Sequence, residues 1–177
     1  MVIRPRPNHI KNVLTPVGLK ILQDELCANY KDFHYEKIRG RYVRHSDENE
    51  ALQKCHEQLT TIAKQLFNSE TLVPSYAFFA YYKRGATLPV HKDSNACTYT
   101  IDVCLYQNMP WDLLVEGTPY TLTPNEALAY YGEDQEHGRP KFPSPDGEVA
   151  MAFFHFVEPD HWYVNSGIMP NTENLES

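Results

Sequence analysis

Between residues 72 and 158 the chain runs as short segments rich in Val, Tyr, Phe and Thr, cut at close intervals by Pro, Gly, Asn and Asp. Segments of this length and composition, bounded by turn formers, read as strands. The pattern places strands near 72–83, 87–91, 97–107, 111–116, 119–123, 126–132, 136–142 and 148–158. Eight short strands of this kind suit a double-sheet jelly roll or a related barrel. The preceding 70 residues follow another period. Thr15-Pro16 is an N-cap followed by proline at the first helical position, and Leu19, Leu22 and Leu26 fall on one face of a helix ending near Cys27. Residues 33–45 look extended. Asp47 and Glu50 form a capping box, after which Leu52, Cys55, Leu59, Ile62 and Leu66 recur at helical spacing up to about Phe67-Asn68. The expected fold is therefore mainly β with a helical front, its two helices packed on the sheet. It forms one domain over residues 1–177: helical support over 1–70, a jelly-roll core over 71–160 and a loose polar tail over 170–177.

Composition narrows the function. A net charge of −7 argues against nucleic-acid binding, which calls for a basic face. Lys37, Arg39, Arg41 and Arg44 do gather locally, and their alternation reads as the solvated face of a strand. No apolar stretch approaches the roughly 20 residues that cross a bilayer, and Met-Val-Ile-Arg-Pro-Arg has no signal-peptide core. The four cysteines, at 27, 55, 97 and 104, show neither C-x-x-C pairing nor zinc spacing and read as buried thiols of a reducing, cytoplasmic compartment.

Chemistry concentrates at His91-Lys92-Asp93. An imidazole and a carboxylate two residues apart point to one side of an extended strand end. With one distant histidine they complete a two-His-one-carboxylate set, which suits iron(II) and leaves one side of the ion open. The bland alternative for the tripeptide is a polar strand end. About forty residues on comes Gly132-Glu133-Asp134-Gln135-Glu136-His137-Gly138-Arg139-Pro140, which supplies His137 behind an acidic turn. His155 is the rival for third ligand. It alternates with Met151, Phe153 and Val157 on one face of a strand, where a histidine is more often a satisfied core residue. His161 lies in a turn-like segment, and His9, His34, His45 and His56 lie in the helical front.

The stretch from Tyr81 to Val157 resembles the iron(II)/2-oxoglutarate-dependent oxygenases, in particular their prolyl-hydroxylase-like branch. The likeness is carried by Tyr81-Tyr82-Lys83-Arg84-Gly85 before His91-Lys92-Asp93, by His137, and by the aromatic strand Phe153-Phe154-His155-Phe156. The resemblance implies a double-stranded β-helix, metal ligands His91, Asp93 and His137, and the co-substrates 2-oxoglutarate and dioxygen. It also implies hydroxylation of an amino-acid, peptidyl or small-molecule substrate, with release of succinate and carbon dioxide. An intact carboxylate at Asp93 argues against the halogenating variant, where a small residue vacates that position for halide.

One departure from the family pattern concerns the co-substrate. Many members carry a Lys or Arg about ten residues after the distal histidine, whereas this chain has no basic residue from Phe142 to Ser177. Arg139 is the expected anchor. It lies two residues from His137, so both side chains can face the barrel interior, and its planar fork matches a carboxylate. Lys141 is the second choice, and Tyr82 or Tyr99 can add a phenolic hydrogen bond. Two competing readings are a cupin-like metalloenzyme that does not use 2-oxoglutarate and a non-enzymatic ligand-binding barrel. Dependence on 2-oxoglutarate separates the first, and failure to hold iron would favour the second. Substrate identity and oligomeric state are not legible.

Overall fold

A computed structural model of the chain describes residues 3–166, so the expected loose tail lies outside the described residues. In chain order these form β1 (Asn8–Lys11), α1 (Pro16–Asn29), β2 (His34–Glu36), β3 (Arg41–His45), α2 (Glu50–Phe67), β4 (Val73–Tyr82) and β5 (Leu88–His91). There follow β6 (Tyr99–Gln107), β7 (Leu113–Val115), β8 (Thr118–Tyr120), β9 (Glu126–Tyr130), β10 (His137–Arg139), β11 (Val149–Val157) and α3 (Trp162–Ser166). The strands make two sheets, one of seven in the order β1-β9-β6-β11-β4-β3-β2 and one of four in the order β5-β10-β7-β8. Every pairing is antiparallel. Among the described residues no helix is long and apolar enough to cross a membrane.

The architecture has two apolar layers with the larger sheet between them. Its outer face packs on the helices through Ala150, Ala152, Phe154 and Phe156 of β11, with Leu52, Leu59 and Ala63 of α2 and Leu22 and Leu26 of α1. Its inner face meets the smaller sheet through Val149, Met151 and Phe153 of β11, with Leu113 and Val115 of β7 and the ring of Trp111. Coverage on both faces explains β11: all nine of its residues are buried, and the strand is apolar except for His155. Each large side chain fully buried there contributes roughly 1.5–3 kcal/mol.

Local chemistry sets the helix boundaries. Thr15 Oγ1 accepts the Gly18 N–H at 3.1 Å, with Pro16 opening α1. At α2 the capping box is displaced. Ser46–Glu48 forms a separate turn of 3-10 helix, and the cap is Asn49, whose side chain accepts the Leu52 N–H at 2.8 Å. Asn68 closes α2 in the left-handed conformation, φ 52°, which asparagine tolerates better than most residues. The buried stripe of α2 also drifts at its C-terminal end, where Ala63 and Phe67 face the core.

Two expectations are corrected. The front 70 residues are more than helical support, since β1 pairs with β9 at one edge of the larger sheet and β2 and β3 extend the other edge beyond β4. Nor is the basic alternation around residue 41 a solvated face. Arg41 is 2% exposed, because β3 turns it, with Val43, into the layer between the sheets.

Candidate active site

Strand pairing brings His91 and His137 together. β5 and β10 are neighbours in the smaller sheet, and His91 lies directly opposite His137. The close approach needs Gly138, where an added Cβ would come within 2.8 Å of the Leu88 carbonyl and 2.9 Å of Val90 Cα. The ring centroids lie 4.4 Å apart. Asp93, two residues past His91, is tied by its backbone N–H to the Gly132 carbonyl at 2.9 Å. Its Oδ1 stands 3.3 Å from Nε2 of both histidines. A Cβ at Gly132 would collide with the Asp93 carboxylate and with Thr100 Oγ1, so glycine keeps this space open.

The ring nitrogens are oriented alike. His91 Nδ1 pairs with the Pro89 carbonyl at 2.8 Å, and His137 Nδ1 with the Gln135 carbonyl at 2.9 Å. An Nδ1–H donated to a backbone carbonyl leaves Nε2 as a lone-pair donor, the tautomer that metal-binding histidines use. The three donor atoms lie within 4.8 Å of one another. Burial works against charge on Asp93, yet the flanking histidines outweigh it and hold the carboxyl well below the usual range. The same pairing raises His137 although burial pulls it down. Two neutral imidazoles and one carboxylate converging at one point fit a divalent iron ion in hardness, charge and number.

Behind these groups lies a cavity lined on its polar side by Arg41, Asp102, Arg139 and His155, with walls that include Leu88, Leu113 and Phe153. Arg139 is 4% exposed. It donates to the Trp111 carbonyl and to Met151 Sδ at 3.8 Å, and its guanidinium lies 4.9 Å from the centre of the Trp111 ring. Among the described residues it has no acidic side chain in ion-pair contact, which leaves a buried cation short of a counter-charge. Arg41 differs, for its Nε donates to Glu36 Oε2 at 2.6 Å and its Nη1 to Tyr82 Oη at 3.0 Å.

Of the two tyrosines expected to assist, Tyr82 is buried in the layer between the sheets, edge-on to Trp111 and bonded to Arg41. Tyr99 is a correction. It packs on the helix side against Phe67 and Tyr131 and donates to Glu158 Oε1 at 3.2 Å, so the larger sheet separates it from the cavity. Lys141 is exposed, and Lys83 pairs with Glu148 at 3.1 Å. His155 is buried on the inner face, with Nδ1 3.0 Å from Thr100 Oγ1, and burial pushes it down to about 4. It joins Asp93 and Cys97 in a second close group of donors.

Two charged cavity residues lie outside the set expected from the sequence. Arg41 reads there as part of a solvated face, although its alternation with Val43 carries the signal that it points inward. Asp102 is a carboxylate inside the apolar run Tyr99 to Tyr106, and a lone acid in a buried strand is itself a flag. Asp102 is 1% exposed, and its Oδ2 accepts the Tyr130 hydroxyl at 3.0 Å. Its Oδ1 is buried and has no hydrogen-bond partner among the described residues.

No protein-family model and no curated protein matches the chain. Solved structures do. The viral collagen prolyl hydroxylase of Paramecium bursaria Chlorella virus-1, in complex with 2-oxoglutarate, superposes with a TM-score of 0.64 at 14% identity, over 85% of this chain and 94% of that one. A prolyl-4-hydroxylase of Pseudomonas putida gives 0.66 at 16%, over 84% and 91%. HygX of Streptomyces hygroscopicus, with nickel and 2-oxoglutarate bound, gives 0.68 at 9%, over 87% and 83%. The chain has the jelly-roll fold of the 2-oxoglutarate-dependent iron oxygenases.

Proposed function

We propose that this protein is an iron(II)/2-oxoglutarate-dependent oxygenase in which His91, Asp93 and His137 hold the metal and Arg139 anchors the far carboxylate of 2-oxoglutarate. One observation carries the reading: three oriented donors converge at a cavity that also contains a buried guanidinium with no carboxylate in ion-pair contact among the described residues. A dicarboxylic oxoacid supplies what both groups call for, a chelating end for the metal and a counter-charge for Arg139. Bound there, iron and 2-oxoglutarate supply dioxygen activation coupled to decarboxylation, yielding succinate and carbon dioxide.

The chain's own residues do the placing. The carbonyls of Pro89 and Gln135 fix both imidazoles. Asp93 offsets part of the metal charge, and Trp111 holds the Arg139 fork through its carbonyl and ring. Leu88, Leu113 and Phe153 keep the cavity dry, which strengthens each polar contact inside it. The substrate is an amino-acid, peptidyl or small-molecule compound that becomes hydroxylated, in keeping with the prolyl hydroxylases that share the fold. Burial of Cys55, Cys97 and Cys104 as free thiols accords with work in the cytoplasm.

The test is anaerobic addition of Fe(II) and then 2-oxoglutarate. A visible metal-to-ligand charge-transfer band should appear only when both are present. Iron retained with no band and no response to 2-oxoglutarate would overturn the reading in favour of a cupin-like enzyme.

A further inference from the structure

Asp102 puts a second carboxylate into a cavity read above as the seat of a dianion. Strand register gives its position. On the inner face of the larger sheet, Thr100 lies opposite His155, Asp102 opposite Phe153 and Cys104 opposite Met151. Thr100 Oγ1 borders the Gly132 space beside Asp93, and Met151 Sδ touches Arg139. Asp102 therefore lies midway between the metal donors and the guanidinium, with Oδ1 buried and unpartnered.

Charge makes the position consequential. A divalent ion and Arg139 bring three positive charges, and 2-oxoglutarate with Asp93 brings three negative ones. Arg41 is already matched by Glu36. An ionised Asp102 would add one uncompensated negative charge in a dry site, next to an anion. Two carboxylates in one such site do not both stay ionised.

We propose that Asp102 meets bound 2-oxoglutarate as a carboxylic acid, donating a hydrogen bond from Oδ1 to the co-substrate's far carboxylate, so that the site takes up one proton on binding. The inference rests on the 2-oxoglutarate reading of the cavity. In the metal-free protein, burial already pushes Asp102 up to about 7, with His137 and Arg139 pulling the other way and Asp93 adding to the rise. An arriving dianion moves it further in the same direction. The groups around it are Arg41 from β3, Tyr130 from β9, His137 and Arg139 from β10, His155 from β11, Asp93 after β5, Cys97 before β6 and Cys104 on its own strand. Cys97 is pushed well above 9, Cys104 up to about 12, Tyr130 well above 10, and His155 down to about 4, so none of these four changes charge near neutrality. His91, Asp93 and His137 are engaged by the metal in the loaded protein.

Calorimetry of 2-oxoglutarate binding to the anaerobic Fe(II) protein, in buffers of different ionisation enthalpy at one pH, counts the protons exchanged. About one proton should enter the wild type at pH 8. Because the proton is taken up, affinity should fall toward tenfold per pH unit once the pH exceeds that at which Asp102 ionises in the Fe(II) protein. Asp102→Asn carries a permanent donor of nearly the same shape, so it should bind with no proton uptake and a flat pH profile. No proton uptake by the wild type overturns the proposal, and this measurement stands even if the variant does not fold. Loss of binding in folded Asp102→Asn at every pH also overturns it, by showing that the charged carboxylate is what the ligand needs. If iron binds but 2-oxoglutarate gives no heat in the wild type at any pH, the co-substrate reading falls first and takes this one with it.

Discussion

At the scale of single residues, each group near the cavity has a distinct expected consequence. Removing His91, Asp93 or His137 as Ala should abolish iron retention, measured as metal content after anaerobic loading. His155→Ala should keep iron and instead lower stability, by roughly 1–3 kcal/mol for a buried side chain with a hydrogen-bond partner. Full iron occupancy in His137→Ala with loss in His155→Ala would reverse the ligand assignment. Arg139→Ala should retain iron but weaken 2-oxoglutarate binding. A charge-assisted contact is worth about 1.5–3 kcal/mol and each decade of affinity about 1.4 kcal/mol, so the loss should be roughly ten- to a few-hundredfold. Arg139→Lys should recover part of that, since an ammonium lacks the fork. Tyr99→Phe should leave 2-oxoglutarate binding unchanged, as Tyr99 faces the helices. The residue scale is also where the sequence was least complete. The convergence of His91, Asp93, His137 and Arg139 on one cavity was legible because pairs two residues apart on a strand share a side. Asp102, Arg41 and the true direction of Tyr99 were not. Which side of the sheet a strand residue faces depends on which layer covers it, and sequence spacing does not name the layer.

At the scale of elements, the site depends on two close approaches that glycine permits, β5 to β10 at Gly138 and Asp93 to the backbone at Gly132. Gly138→Ala would press against the backbone of Leu88 and Val90, and Gly132→Ala against Asp93, Thr100 and the Cys97 carbonyl. Such overpacking costs about 1–3 kcal/mol. Both variants should therefore fold but hold iron poorly, which a denaturant midpoint paired with metal content would show. Wild-type iron occupancy in Gly132→Ala would mean that Asp93 can shift without harm. Helix capping gives a separate check. Asn49→Ala should cost about 1 kcal/mol in chemical denaturation, whereas Asp47→Ala, outside the cap, should cost clearly less. Local rules find α1, α2 and most of the strands, but not the short α3, which the sequence presents as a turn. The α2 start moved by two residues because Asp47 falls within a 3-10 turn and Asn49 takes the capping geometry.

At the scale of the whole molecule, the larger sheet has to be covered on both faces. The smaller sheet covers the inner face and builds the cavity. α1 and α2 cover the outer face, and three of the seven strands, β1, β2 and β3, come from the same front region of the chain. That interleaving was not legible in the sequence, where the strand-rich stretch after residue 70 reads as a complete barrel. The segment at 8–11 is too short for a period to declare it, and only pairing with β9 makes it a strand; residues 33–45 look extended, but nothing in their spacing says that they extend the same sheet. It follows that the front belongs to one cooperative unit with the back. A fragment beginning near Leu72 would leave Phe79, Ala150, Ala152, Phe154 and Phe156 facing water and open both edges of the sheet, at β4 and at β9. Exposed apolar patches and unpaired edges drive aggregation rather than folding. Such a fragment should give no cooperative thermal transition and no stoichiometric iron, even though it contains His91, Asp93 and His137. A soluble fragment with a sharp transition and one bound iron would show instead that residues 1–70 are a separable support.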